Sequence, residues 1–158
     1  MTTRTIHADP KCIAAVHRLA EALGIKIQDM PPAFPKAVGD PVRPLKIGVR
    51  EQVLALMTDA GTRRGSLRAL RSYALSLSYL MSVSADGAVR VDLDGSEVEP
   101  VSPEHAARAR GQIIERRERR ERLANVRLRE ARPAPSSRGE VVVACAPTNA
   151  DLRASLGL

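Results

Sequence analysis

Thr62-Arg63-Arg64-Gly65-Ser66-Leu67-Arg68-Ala69-Leu70-Arg71-Ser72-Tyr73-Ala74 decides how this chain is read, because it carries two helical periodicities at once. Leu67, Leu70, Ala74 and Leu77 recur at i, i+3, i+7 and i+10, the spacing of a stripe that faces a core. Arg64, Arg68 and Arg71 recur at i, i+4 and i+7 on a neighbouring face. Thr62 is a residue type that caps a helix start, and Asp59-Ala60-Gly61 stops whatever precedes it. The segment therefore predicts an amphipathic helix with one cationic side. A cationic row of this kind is commonly no more than a solvated face. Arg63 and Arg64 add a sharper point, since they fall in the first turn, where the macrodipole disfavours cations by roughly a few tenths of a kcal/mol each. The free N–H groups of that turn, the Thr62 hydroxyl and the guanidinium groups together would seat a phosphate.

Upstream, Val49, Val53, Leu54 and Met57 predict a second, shorter helix. The prolines at 31, 32, 35, 41 and 44 forbid long regular structure between residues 25 and 45, leaving an extended connector that Phe34 and Val38 would pin to the core. Before it, Asp9-Pro10 reads as an N-cap followed by proline at the first helical position, and Gly24 as a stop, so a first helix is expected over residues 10–23. Downstream, Tyr79 to Val83, the turn Ser84-Ala85-Asp86-Gly87 and Val89-Arg90-Val91 read as a β-hairpin, with Asp92-Leu93-Asp94-Gly95 as a second turn. Ser102-Pro103-Glu104 opens a further helix that nothing breaks before Pro133. Its early part packs through Ala106, Ala109 and Ile113, and the mixture of arginine and glutamate beyond leaves almost no apolar stripe.

The 158 residues carry a formal charge of +7 with a pI near 10.2, and the excess is mostly arginine, whose planar fork suits phosphate oxygens. A polyanion is the partner to expect. No stretch is apolar enough to span a bilayer, the basic helix lacks the Trp and Phe of an interfacial anchor, and no signal-like segment opens the chain, so the expectation is a cytoplasmic protein. Cys12 and Cys145 lie outside any metal or redox spacing and read as reduced thiols. Only 2% of residues are aromatic, so shape and phosphate contacts must outweigh base stacking.

Catalytic chemistry has no visible constellation. His7, His17 and His105 have no ligand partners at metal spacing, and Gly61 to Ser66 lacks the phosphate-loop pattern of nucleotide hydrolases. No serine nucleophile motif is present. Asp92 and Asp94 could aim two carboxylates at one cation, but ordinary turn chemistry is the better reading. Neither an enzyme nor a cofactor or metal site is expected.

Three stretches in order, Arg43-Pro44-Leu45-Lys46-Ile47-Gly48-Val49, Ala69-Leu70-Arg71-Ser72-Tyr73 with Tyr79-Leu80, and Gly87-Ala88-Val89-Arg90-Val91-Asp92-Leu93-Asp94-Gly95, resemble the ProQ/FinO family. The resemblance implies a mainly α (α+β) fold: a helical domain with a small β-hairpin, followed here by a solvent-exposed basic helix. It implies an RNA chaperone that binds terminator-like hairpins ending in a single-stranded 3′ tail, acting on small RNAs and mRNA 3′ ends in bacterial post-transcriptional regulation. It further implies that Lys46, Arg63, Arg71, Tyr79 and Arg90 contact RNA, with Thr62 and Arg63 at the helix N-terminus near the last nucleotides. Arg64 and Arg68 would add backbone contacts that read no bases, as A-form RNA demands. Tyr73 reads better as core. The bland alternatives are a loop lysine at Lys46, a half-buried core residue at Tyr79 and an Arg90–Asp92 pair across the turn.

The expected organisation is an N-terminal helix and connector over 1–30, the RNA-binding domain over 31–112, an Arg/Glu-rich helical extension over 113–134, and a linker and tail over 135–158, in a monomer. The extension either adds phosphate contacts or is a solvated helix whose glutamates cancel its charge. Two other readings of the whole chain stand beside this one, a non-specific double-stranded nucleic-acid binder and a helical protein-interaction adaptor.

Overall fold

The computed structural model describes residues 5–131. In chain order they form β1 (Ile6–His7), α1 (Pro10–Leu23), a 3-10 turn (Ile27–Asp29), β2 (Pro41–Val42), α2 (Val49–Ala55), α3 (Arg63–Ala74), α4 (Leu77–Ser84), β3 (Val89–Val91), β4 (Glu97–Pro100) and α5 (Pro103–Ala131). Helices dominate, and the strands make two antiparallel ribbons, β1 with β2 and β3 with β4. The chain separates into two compact units, 1–122 and 123–158, and the core lies in the first.

α1 begins and ends on local signals. The Asp9 carboxylate accepts the Cys12 N–H at 2.8 Å, Pro10 opens the first turn, and Gly24, at φ +74°, turns its own N–H back onto the carbonyls of Ala20 and Glu21. The helix buries Cys12, Val16, Leu19 and Leu23 completely, against Met30, Phe34, Val53, Tyr73 and Val91. Each large aliphatic side chain so buried contributes about 1.5–3 kcal/mol.

The carbonyls that a helix C-terminus leaves free position the next functional element. Leu23 O accepts the Thr58 N–H at 2.9 Å, Ala22 O accepts the Thr62 N–H at 2.8 Å, and Ser66 Oγ donates to the same Ala22 O at 3.0 Å. Gly61 allows this contact, because a Cβ there would lie 2.7 Å from Leu23 O. The start of α3 is thus docked onto the end of α1.

Four expectations need correction. α3 turns Ser66, Ala69 and Tyr73 inward, with Leu67, Leu70 and Ala74 half-buried on its flank and Leu77 45% exposed at the start of α4. Small residues let α1 and α3 approach closely, and the Ser66 hydroxyl is satisfied by carbonyls, so a polar residue sits in the stripe without cost. Tyr79 to Val83, expected as a strand, lie in the helix Leu77–Ser84, which Ser76 caps by accepting the Tyr79 N–H at 3.3 Å. The true hairpin joins β3 to β4 across Asp92–Ser96, with Arg90 opposite Glu99. Val38 is 60% exposed and Met57 lies outside the core, whereas Phe34 is buried as expected.

Asp92 and Asp94 serve that turn: Asp92 accepts the Leu93 N–H, and Asp94 accepts both the backbone and the hydroxyl of Ser96. α5 anchors through Ala109, buried against Leu80 and Val83 with Ile113 beside them, and through Arg110, 2.8 Å from Asp86. Every residue from Ile114 to Ala131 is exposed. Cys145 and the run from Val141 to Ala144 lie outside the described residues.

Candidate nucleic-acid interface

The segment Pro44-Leu45-Lys46 lies beside β3 as a short parallel bridge, with Val91 N–H donating to Pro44 O at 2.8 Å and Lys46 N–H to Val91 O at 2.9 Å. The peptide groups of Leu45 point the other way and are both claimed by side chains. Its N–H donates to Tyr79 Oη at 3.0 Å, and its carbonyl accepts from Arg90 Nη1 at 2.7 Å. α4 supplies the tyrosine, β3 the arginine, and the proline-flanked strand the peptide between them.

Arg90 is a buried cation, 7% exposed. Beyond Leu45 its Nη2 lies 3.2 Å from His105 Nδ1 and its Nε 3.8 Å from Glu99. A guanidinium only donates, so His105 Nδ1 accepts that bond. The side chain is spent on holding β3, β4, α5 and Leu45 together, and it pairs with Glu99 rather than with Asp92. Asp92 instead meets Lys46, Nζ to Oδ2 at 3.2 Å, half-buried on both sides.

Tyr79 completes a row of rings, 5.1 Å from Tyr73, which lies 5.2 Å from Phe34, both contacts tilted. Burial pushes the Tyr79 phenol above its ordinary value, against the Leu45 N–H and Arg90, which pull it down. The phenol therefore keeps its proton, and its oxygen accepts from the Leu45 N–H. Tyr73 differs: its hydroxyl is buried without a partner, and burial holds its phenol well above the usual range.

α3 distributes its cations over three directions. Arg63 leans toward α2, 3.8 Å from Glu51. Arg64 and Arg71 stand opposite the buried stripe, and Arg68 leans toward α1 in a groove with Gly65 and Ser72. Arg64, Arg68 and Arg71 are exposed and enter no ion pair among the described residues. At the N-terminus of α3 the Thr62 backbone is extended, but its hydroxyl makes no cap bond and lies where a Gly65 side chain would be, 2.5 Å from the Cβ position. Glu51 supplies part of the negative charge that Arg63 needs, so a phosphate is not the only anion available to that turn.

Tyr79 and Arg90 thus meet at Leu45, the neighbouring Lys46 side chain pairs with Asp92, and Thr62 with the four arginines of α3 occupies a separate helix. Sequence reasoning missed His105, Glu99 and the Leu45 peptide itself. The Arg90–Glu99 pair is an ordinary cross-strand match of opposite charge, legible once the hairpin is placed across Asp92–Ser96.

Residues 16–125 match the model of the ProQ/FINO family. The chain is 37% identical over 97 residues to the RNA chaperone ProQ of Pseudoalteromonas atlantica, covering 60% of this chain and 44% of that protein. It is 41% identical over 86 residues to the RNA chaperone ProQ of Alteromonas mediterranea, covering 52% and 38%. It therefore spans less than half the length of these relatives. Among solved structures, the solution structure of a ProQ homologue from Legionella pneumophila aligns with a TM-score of 0.43 and 26% identity, over 73% of this chain and 92% of that one.

Proposed function

This chain belongs to the ProQ/FINO family, and from that premise we propose that it is a non-enzymatic RNA chaperone that holds structured RNA hairpins by their single-stranded 3′ tail. The observation that carries the reading is the meeting of Tyr79 and Arg90 at Leu45, next to the Lys46–Asp92 pair. The Tyr79 hydroxyl keeps a proton to donate to a terminal nucleotide, and the Lys46 ammonium has donors beyond the one Asp92 takes. Arg90 acts as a positioning residue, donating to Leu45 O at 2.7 Å. Thr62 and Arg63 receive the last phosphates at the start of α3, and Arg64, Arg68 and Arg71 follow the duplex backbone. In the cell the protein acts as a monomer in the cytoplasm on small RNAs and mRNA 3′ ends, altering their stability and pairing. Among the described residues no helix is long and apolar enough to cross a membrane.

The test is binding at fixed salt of a U-tailed RNA hairpin, the same RNA with a 3′ phosphate, and the matching DNA. Tight binding of the first, with at least tenfold loss for the other two, is the expected result. Equal binding of all three would reduce the protein to a non-specific basic binder.

A further inference from the structure

A trough runs along the side of α1 that faces α3, with a floor of Pro10, Ile13, Ala14 and Leu75 below Lys11, His17 and Arg116 and no acid on its lining. A second groove, walled by Thr62, Gly65 and Arg68, adjoins it at Arg18 and Ser72 and belongs to the α3 face described above. Arg18 bridges the helices, donating to Ala14 O at 3.2 Å and to Ser72 Oγ at 3.3 Å. Lys11, Arg18 and Arg116 enter no ion pair among the described residues, so their charge is unneutralised, and none of them belongs to the Leu45 clamp.

We propose that the α1–α3 trough is a second RNA site, which takes the phosphates of a single strand while a hairpin occupies the clamp; this rests on the function proposed above. Three cations and no carboxylate on the lining select a polyanion. Lys11 and Arg18 lie about 10 Å apart along the axis of α1, so they engage different phosphates. The apolar floor and the exposed His17 ring give bases a surface to lie on. Two RNAs held on one small domain would be brought together for pairing.

The experiment titrates a labelled single-stranded RNA of roughly 12 nucleotides, unrelated to the hairpin, into full-length protein saturated with the U-tailed hairpin. Wild type is expected to bind both. The Lys11→Ala/Arg18→Ala/Arg116→Ala variant should bind the oligomer at least tenfold more weakly, with a salt slope smaller by about 2, while its hairpin affinity stays within about twofold. Displacement of the hairpin by the oligomer, wild-type oligomer binding in the variant, or equal loss of both ligands would each overturn the proposal. Should the loss of the Arg18–Ser72 bond lower the melting temperature, the Lys11→Gln/Arg116→Gln variant carries the same test with a proportionately smaller slope change. If the hairpin fails to bind wild type, the clamp reading falls, and the oligomer titrated into free protein still judges the trough.

Discussion

The clamp at Leu45 and the outer face of α3 both present arginine, but in opposite surroundings. Arg90 is buried and its donors are distributed among a carbonyl, an imidazole and a carboxylate. Arg64, Arg68 and Arg71 are exposed and have no partner among the described residues. Charge alone does not separate them. A satisfied, buried cation fixes geometry, and its loss strands the groups it held. An unsatisfied, exposed cation costs the fold nothing to remove and is free for a ligand. Under the proposed function, the clamp would set which RNA end fits, and the α3 face how strongly any phosphate backbone is held.

The comparison breaks most readily at Arg90. Arg90→Ala leaves Leu45 O without its donor and should cost about 3 kcal/mol in urea denaturation, with hairpin affinity falling in step. Next, Arg64→Ala/Arg68→Ala/Arg71→Ala should leave the urea midpoint unchanged, weaken RNA binding by about 2 kcal/mol, and reduce the salt slope by about 2 to 3. Tyr79→Phe removes the acceptor of the Leu45 N–H and should cost about 1–2 kcal/mol of stability. Tyr73→Phe has the opposite sign: its hydroxyl is buried without a partner, so removal should be neutral or gain about 1 kcal/mol. The smallest effect is with pH. Asp40 and Asp94 have carboxyls held below the ordinary 3.8, Asp40 by the N–H groups of Ala37 and Lys36 and Asp94 by Ser96. A depressed folded value stabilises above the unfolded one and is lost as pH falls through the folded value, so the melting temperature should drop slightly below pH 3.8. Asp40→Asn/Asp94→Asn should flatten that acid limb.

Much of this was legible in the sequence where the signal is local. Asp9, Pro10 and Gly24 bound α1 to the residue, and Ser102-Pro103 the start of α5. The errors arose where packing overrides pattern. In α3 the larger apolar residues were expected inside, but close approach to α1 favours serine and alanine there. In α4, tyrosine, valine and alternating serines mimic a strand, and only the cap at Ser76 signals a helix. That error moved the hairpin, and with it hid the partners of Arg90, which come from β4 and α5. Lys46, Tyr79 and Arg90 are linked in the sequence only by the family resemblance. That Tyr79 and Arg90 both close on Leu45 is a tertiary fact that no spacing encodes.

The central claim is that end recognition and backbone attraction are carried by different regions. The most direct test measures hairpin affinity across a salt series, with free and phosphate-blocked 3′ ends, for wild type, Tyr79→Phe and the Arg64→Ala/Arg68→Ala/Arg71→Ala variant. The account predicts that Tyr79→Phe keeps the wild-type salt slope and loses the preference for the free end, while the arginine variant keeps the preference and loses slope. A preference that disappears with the arginines and survives in Tyr79→Phe would contradict it.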